Sequence, residues 1–501
     1  MEKTALWATL AVYLIAMFGI GIVEGRKSKS VADFTVGGRS AGAWLSALSY
    51  GTAYFSAVMF VGYAGGTGLK YGLWGVLAGI GNCIFGSWLA WKVLARPTRD
   101  IAARLKLKTM PEFLEKRYNS KAIKTFASVV IFVFLVPYSA SVYKGLASVA
   151  EVLLDVDVKI CMIVIAVVAL LLLLLGGYLV QARADFVQGI VMMFGITLLI
   201  IFVIRCDKVG GIAGLAEYAK SDWGFAPMKS DDWISLMATV LMTSFGTWGL
   251  PQMVQKYFGI KDDAQAKRGI TISTFFALLV AGGGYFIGSL CHRFFTVGVD
   301  MPAQDYIVPQ MLKAANLPVI LLGIVMVLLI SASVSTLCSV TLTACSTVSI
   351  DLIRSHVTSM TDKKTAKLTK IFCAVFVVLS YIVANTDTPI LDMMSYSWGI
   401  ISGSFLAPYV LALFYKKLNK TGAWCGILTG FCIALVPAIA KAVTMFGITN
   451  EAVVSLAAKG PTYACTAMIS SLIVCVVISE FTQKKCPANS EFFYKGTIEK
   501  E

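Results

Sequence analysis

The residue types that usually carry covalent chemistry are nearly absent from the apolar stretches of this chain. No HExxH, GxSxG or GxxxxGK[ST] pattern occurs, no carboxylate pair lies within the apolar runs, and no CxxC is formed by the 12 Cys. With two His in the whole sequence, a His-based metal site is not expected. What remains is coordination and charge. The apolar run 43–67 carries Ser49, Tyr50, Gly51 and Thr52 in mid-span, and the run 233–256 carries Gly246-Thr247-Trp248-Gly249-Leu250-Pro251. Gly and Pro interrupt a helical backbone ladder and release carbonyls and N–H groups. In a membrane such breaks are tolerated where they line a cavity, and they mark ion and solute sites. Helix-packing Gly and a simple Pro kink are the competing reading. Lys144 lies inside the run 125–153. Its ammonium either answers a solute carboxylate or snorkels to the outer surface. The acidic residues nearest to it by this reading are Glu151, two turns along, and Asp392.

The elements that must position these residues follow from composition. Of 501 residues, 57% are hydrophobic and 14% charged, and mean hydropathy is +0.77. Those values exclude a soluble enzyme and a disordered chain. A helical crossing takes roughly 20 apolar residues. The apolar runs predict thirteen helices, at 5–24, 43–67, 73–95, 125–153, 159–180, 185–204, 233–256, 268–291, 316–350, 369–385, 389–414, 421–442 and 461–480. The fold class is all-α integral membrane, with one transmembrane domain over 1–480 and a cytoplasmic tail over 481–501. The run 316–350 is too long for one straight crossing.

The net charge of +15 suggests nucleic acid only until its placement is read. Assigning alternate loops to the two sides puts 30 Lys and Arg on one and 11 on the other, an orientation signal rather than a nucleic-acid footprint. The N-terminus is expected outside, because Arg26 and Lys27 follow the first helix, and the C-terminus in the cytoplasm. That first helix is too long, and charged on the wrong flank, for a cleaved signal. The two broken helices are five apart, and an odd offset means opposite orientation. Helices 2–6 and 7–11 then form two inverted five-helix repeats.

Five motifs in order on these helices resemble the sodium:solute symporter family, over about residues 5–480. They are Asp33-Phe34 with Gly37-Gly38-Arg39-Ser40 and Ala47-Leu48-Ser49; Gly176-Gly177 followed by Asp185 and Gln188-Gly189; Pro251-Gln252-Met253-Val254-Gln255-Lys256-Tyr257; Ser331 through Leu337; and Ser395-Tyr396-Ser397-Trp398 with Pro408. The resemblance implies the five-plus-five repeat fold and co-transport of sodium. Sodium is a hard cation that prefers several neutral oxygens. The resemblance places it between the carbonyls of Thr52 and Phe55, the carbonyl of Ala332, and the hydroxyls of Ser335 and Thr336, the last three one turn apart on helix 9. Satisfaction of the helix's own backbone is the competing use of such hydroxyls. A second sodium found in some relatives would fall at Asp185 and Ser339. Cys338 stands where a hydroxyl would complete that set, and Asp185 is alternatively a membrane-edge residue. The sodium/proline branch has aromatics at the positions of Thr243 and Thr247, so a proline pocket of that type is not expected. Ser56, Lys144, Thr247, Trp248 and Tyr396 are the candidate solute-contacting residues, with packing as the alternative for each.

The reading is thus a multi-pass protein of the cell membrane, of the bacterial inner-membrane kind, that imports a small carboxylate or amino acid with sodium. Its partners are the solute, sodium and the lipid bilayer, with no nucleic acid and no stated oligomeric state. A sugar or other neutral solute is the alternative cargo. A sensor or channel is the alternative class, although a tail of about 20 residues is too short for a signalling domain.

Overall fold

The computed structural model describes residues 2–25, 35–225, 227–357, 360–448, 450–483 and 491–494. The motif residues Asp33 and Phe34, the charges Arg26 and Lys27, and most of the 481–501 tail lie outside the described residues. Among the described residues the chain is helical throughout, with one isolated β-bridge between Ala41 and Ile260. Eleven helices are long and apolar enough to cross a membrane, or twelve if the bent pair Ser230–Gly249 and Pro251–Phe258 is one span.

One of these stretches, Val58–Arg104, has 47 residues. At 1.5 Å per residue it would run about 70 Å if straight, more than twice a hydrocarbon core. It is not straight. Gly72 sits at φ 53°, a left-handed conformation that only glycine adopts without strain. A side chain there would also meet the Trp223 carbonyl oxygen at 2.0 Å. Val158–Arg205, at 48 residues, is likewise interrupted by Gly177 at φ 60°. The predicted loop near 181–184 is therefore a glycine kink in a helix that continues through Asp185. The predicted run 316–350 is one long helix, Val319–Arg354, whose last turns widen to π geometry.

One sequence motif acquires a structural cause. In Gly37-Gly38-Arg39-Ser40 the first three residues all have positive φ. That turn drives the Arg39 guanidinium into the carbonyls of Leu107 and Ala102, at 2.7 and 3.3 Å. The same segment ties the entry of one broken helix to the exit of the other: Ala41 N–H donates to Gly259 O and Lys261 N–H donates to Ala41 O. Elsewhere small residues set the helix spacing. A Cβ at Gly430 would meet the Gly403 carbonyl oxygen at 1.8 Å, so the helices Ile390–Phe414 and Lys420–Met445 touch backbone to backbone.

Candidate ion and solute site

The first break is displaced from its expected place. Ser49 to Thr52 remain helical within Ala43–Tyr54, and Gly51 is there because the Phe276 ring packs where its Cβ would be. The helix ends at Phe55, which is extended at φ −105° and ψ 100°. The next three amides then take new acceptors. Ala57 N–H donates to Ser333 Oγ (3.3 Å), Val58 N–H to Ser56 Oγ (3.3 Å) and Met59 N–H to Ser56 O (3.0 Å). An unbroken helix would have used the carbonyls of Ala53, Tyr54 and Phe55, which are released from the ladder.

The helix Val319–Ser346 faces this break with its hydroxyl-rich segment. Thr336 Oγ1 lies 3.1 Å from Thr52 O, 3.4 Å from Ala53 O and 2.9 Å from Ala332 O. Ser335 Oγ lies 2.9 Å from Thr52 Oγ1 and 2.6 Å from Asp185 Oδ1. All of these residues are buried. Thr52, Ala332, Ser335 and Thr336 are thus brought into one cluster of neutral oxygens, with the freed Phe55 carbonyl one turn along. The Thr336–Ala332 bond is the helix-internal use of a hydroxyl anticipated as the alternative. The two contacts to Thr52 and Ala53 go beyond it.

Asp185 is fully buried within the protein. It accepts from Ser49 as well as Ser335, and its Oδ2 lies 3.3 Å from Lys256 Nζ. Lys256 is 1% exposed, and all eight residues of Pro251–Phe258 are buried. Lys256, which ends the predicted run 233–256 and was counted among the 30 cytoplasmic Lys and Arg, is therefore a buried charge and no part of the orientation signal. The helix containing it follows the second break, which falls at the expected residues: Gly246–Gly249 tightens, Leu250 is extended, and the chain resumes at Pro251 with a 48° bend.

The candidate solute residues part company. Ser56 sits at the first break. The polar groups of the others are occupied elsewhere: Thr247 Oγ1 by Ser244 O (2.8 Å), Trp248 Nε1 by Phe85 O (2.9 Å) and Tyr396 Oη by Ala457 O (2.9 Å). Lys144 Nζ donates to the carbonyls of Thr386 and Thr388 at 2.8 and 2.9 Å, anchoring the turn before Ile390. It is partly exposed and directed to this turn rather than to the break. The residues missed by sequence are aromatic. Tyr138 packs edge-on against Trp398, with ring centroids 5.6 Å apart, and Trp398 lies 6.2 Å from Tyr54 beside the first break. Tyr63 Oη is buried without a hydrogen-bond partner, whereas Tyr138 Oη and Trp398 Nε1 are buried against one another with Ser56 beside them and meet no other polar group. Buried donors left unpaired are uncommon and call for a ligand or water. A vestibule of about 780 Å³ is lined by Gly66 and Thr67, one turn beyond Tyr63, and among others by Asp231, Asp232, Asp392 and Lys459.

Carbonyls released inside an apolar bundle replace the water shell of an ion on its way across, and interrupted helices around such a cluster define an ion-coupled secondary transporter. The chain belongs to the sodium:solute symporter family, whose sequence pattern matches residues 34–430. It is 26% identical to the osmoregulated proline transporter OpuE of Bacillus subtilis, over 98% of this chain and 97% of the relative. It is 25% identical to the sodium/pantothenate symporter of Escherichia coli, over 84% and 88%. In fold it matches a solved Na+-coupled sialic acid symporter in a substrate-bound outward-open state, with a TM-score of 0.76 at 17% identity over 95% of this chain and 97% of that one. The protein is a sodium-coupled symporter of small organic solutes rather than an enzyme.

Proposed function

We propose that the chain crosses the membrane thirteen times as two inverted five-helix repeats, and imports a small carboxylate or amino acid with sodium bound between Thr52 and Thr336. The observation that carries the ion site is the convergence of Thr52 O, Ala53 O, Ala332 O, Thr336 Oγ1 and Ser335 Oγ beside carbonyls freed by the break at Phe55. Sodium there joins the broken helix to the intact one and favours the outward-open state until solute binds. Counting Ala43–Tyr54 with Val58–Tyr71 as one broken crossing, and turning the chain at Gly72, turns the eleven long helices and the bent pair into thirteen crossings. The bridge from Ala41 to Ile260 supports inversion, because one broken helix begins where the other ends. We place the N-terminus outside and the 481–501 tail in the cytoplasm of a bacterial inner membrane.

The solute is read from donors. Tyr63 offers an unpaired O–H, and Tyr138 and Trp398, which share a polar contact with Ser56, offer further O–H and N–H groups beside the break, for which a carboxylate or carbonyl presents the matching lone pairs. The relatives named for proline, pantothenate and sialic acid favour a carboxylate over a neutral sugar. Lys144 is not the counter-charge in this reading, since two backbone carbonyls hold it at the turn before Ile390. The vestibule lined by Asp231, Asp232 and Asp392, with Lys70 and Lys459, is the entry path for solute and sodium. Sodium-driven uptake of labelled amino acids, monocarboxylates, pantothenate and sugars into proteoliposomes tests the reading.

A further inference from the structure

A second cluster around Asp185 has the oxygens for a cation but already holds one. Lys256 Nζ lies 2.8 Å from Ser49 Oγ and 3.3 Å from Asp185 Oδ2. With its amide oxygen turned toward the ammonium, Gln181 accepts from Lys256 Nζ at 3.2 Å and from the Ser339 hydroxyl at 2.8 Å. The three protons of an ammonium therefore have three oxygen acceptors. The Tyr178 ring lies 5.1 Å from the same nitrogen, within cation–π range. The other carboxylate oxygen, Oδ1, is taken by Ser335. Beside them the free space lined by Gln181, Asp185, Ser335 and Cys338 is about 10 Å³, no more than a single water needs. Cys338 turns its thiol to Ala169 O at 3.5 Å.

We propose that Lys256 is a built-in cation that fills the place of a second sodium, so that the symporter binds one sodium per cycle. The proposal rests on the sodium-symport reading and goes beyond it by fixing the stoichiometry. The side chains of Asp185 and Lys256 are 0% and 2% exposed. Their charges cancel, and an added sodium would leave a net positive charge in a site without water to screen it. A tethered ammonium enters at no cost in ion concentration and does not leave. It joins Pro251–Phe258 to the helices bearing Ser49 and Asp185 whether or not sodium is present. It also leaves Asp185 drawing on the Ser335 proton, which turns an oxygen lone pair of Ser335 toward the first site.

Equilibrium binding of 22Na+ to the purified full chain in nanodiscs, at constant ionic strength with choline, tests this. The native chain should hold one sodium, lost in the Ser335→Ala/Thr336→Ala double variant. Lys256→Ala should hold two, because an uncompensated buried carboxylate recruits a cation. Asp185→Asn should still hold one. Two ions in the native chain, with one lost in Asp185→Asn, overturn the inference, and so does a Lys256→Ala count that stays at one. If Lys256→Ala does not fold, the native and Asp185→Asn counts decide. No sodium in the native chain would instead overturn the sodium-symport reading itself.

Discussion

Thr336 Oγ1 lies 3.1 Å from the carbonyl oxygen of Thr52, across the gap between an intact helix and one that stops three residues later. The hydroxyl makes this contact while also lying 2.9 Å from the carbonyl of its own preceding turn. In the proposed reading, a side chain already satisfied at home gathers carbonyls from a second helix for a cation to share. Replacing Ser335 and Thr336 together by Ala removes two oxygens from a weak ion site. The sodium concentration that half-activates transport should rise at least tenfold, about 1.4 kcal/mol. A folded double variant with unchanged sodium activation would remove these residues from the site.

The Asp185–Lys256 pair gives a stability prediction. Breaking a buried pair from one side leaves a charge without a partner and costs about 3–5 kcal/mol, whereas removing both charges costs much less. Thermal unfolding in sodium-free detergent should show Lys256→Met strongly destabilised, with Lys256→Met/Asp185→Asn recovering a large part of the loss. Equal stability for the single and double variants would mean that the two charges do not support each other.

Much of this architecture was legible in the sequence, and the exceptions have physical reasons. The second break was found at the right residues because Gly246, Gly249 and Pro251 change the backbone itself. The first break was placed a few residues early because Gly51 suggested it. That glycine serves the Phe276 ring instead, while Phe55 and Ser56, which do break the helix, carry no special propensity. Lys256 ends the predicted run 233–256 and was counted with the cytoplasmic charges, and only the fold shows Asp185 beside it. The quoted Pro251–Tyr257 motif contained the signal: a Lys inside a turn of otherwise buried residues. Trp398 stood in a quoted motif and Tyr138 in an apolar run, and only the fold brings the two together beside Ser56 at the break.

The Tyr138 hydroxyl and the Trp398 N–H separate pocket from scaffold. Tyr138→Phe and Trp398→Phe should each raise the solute KM by roughly 2- to 12-fold, about 0.5–1.5 kcal/mol for one hydrogen bond, at unchanged sodium affinity. Tyr396→Phe, whose hydroxyl bonds Ala457 O, should leave KM in place. The reverse ranking would move the pocket.

Topology is testable with single cysteines at two exposed positions in a background lacking the native ones. Lys261→Cys should react with an impermeant maleimide only from the cytoplasmic side, and Asp222→Cys only from outside. Labelling in the opposite sense would overturn the orientation and the entry path through the vestibule.

Concentrative uptake into proteoliposomes tests the central claim most directly. The solute from the panel that gives the largest signal is measured with an inward sodium gradient and again with choline replacing sodium. The account predicts saturable accumulation above the external concentration with sodium, collapse to simple equilibration without it, and loss of the sodium response in Ser335→Ala/Thr336→Ala. Equal uptake in choline, or flux that never saturates, would contradict it.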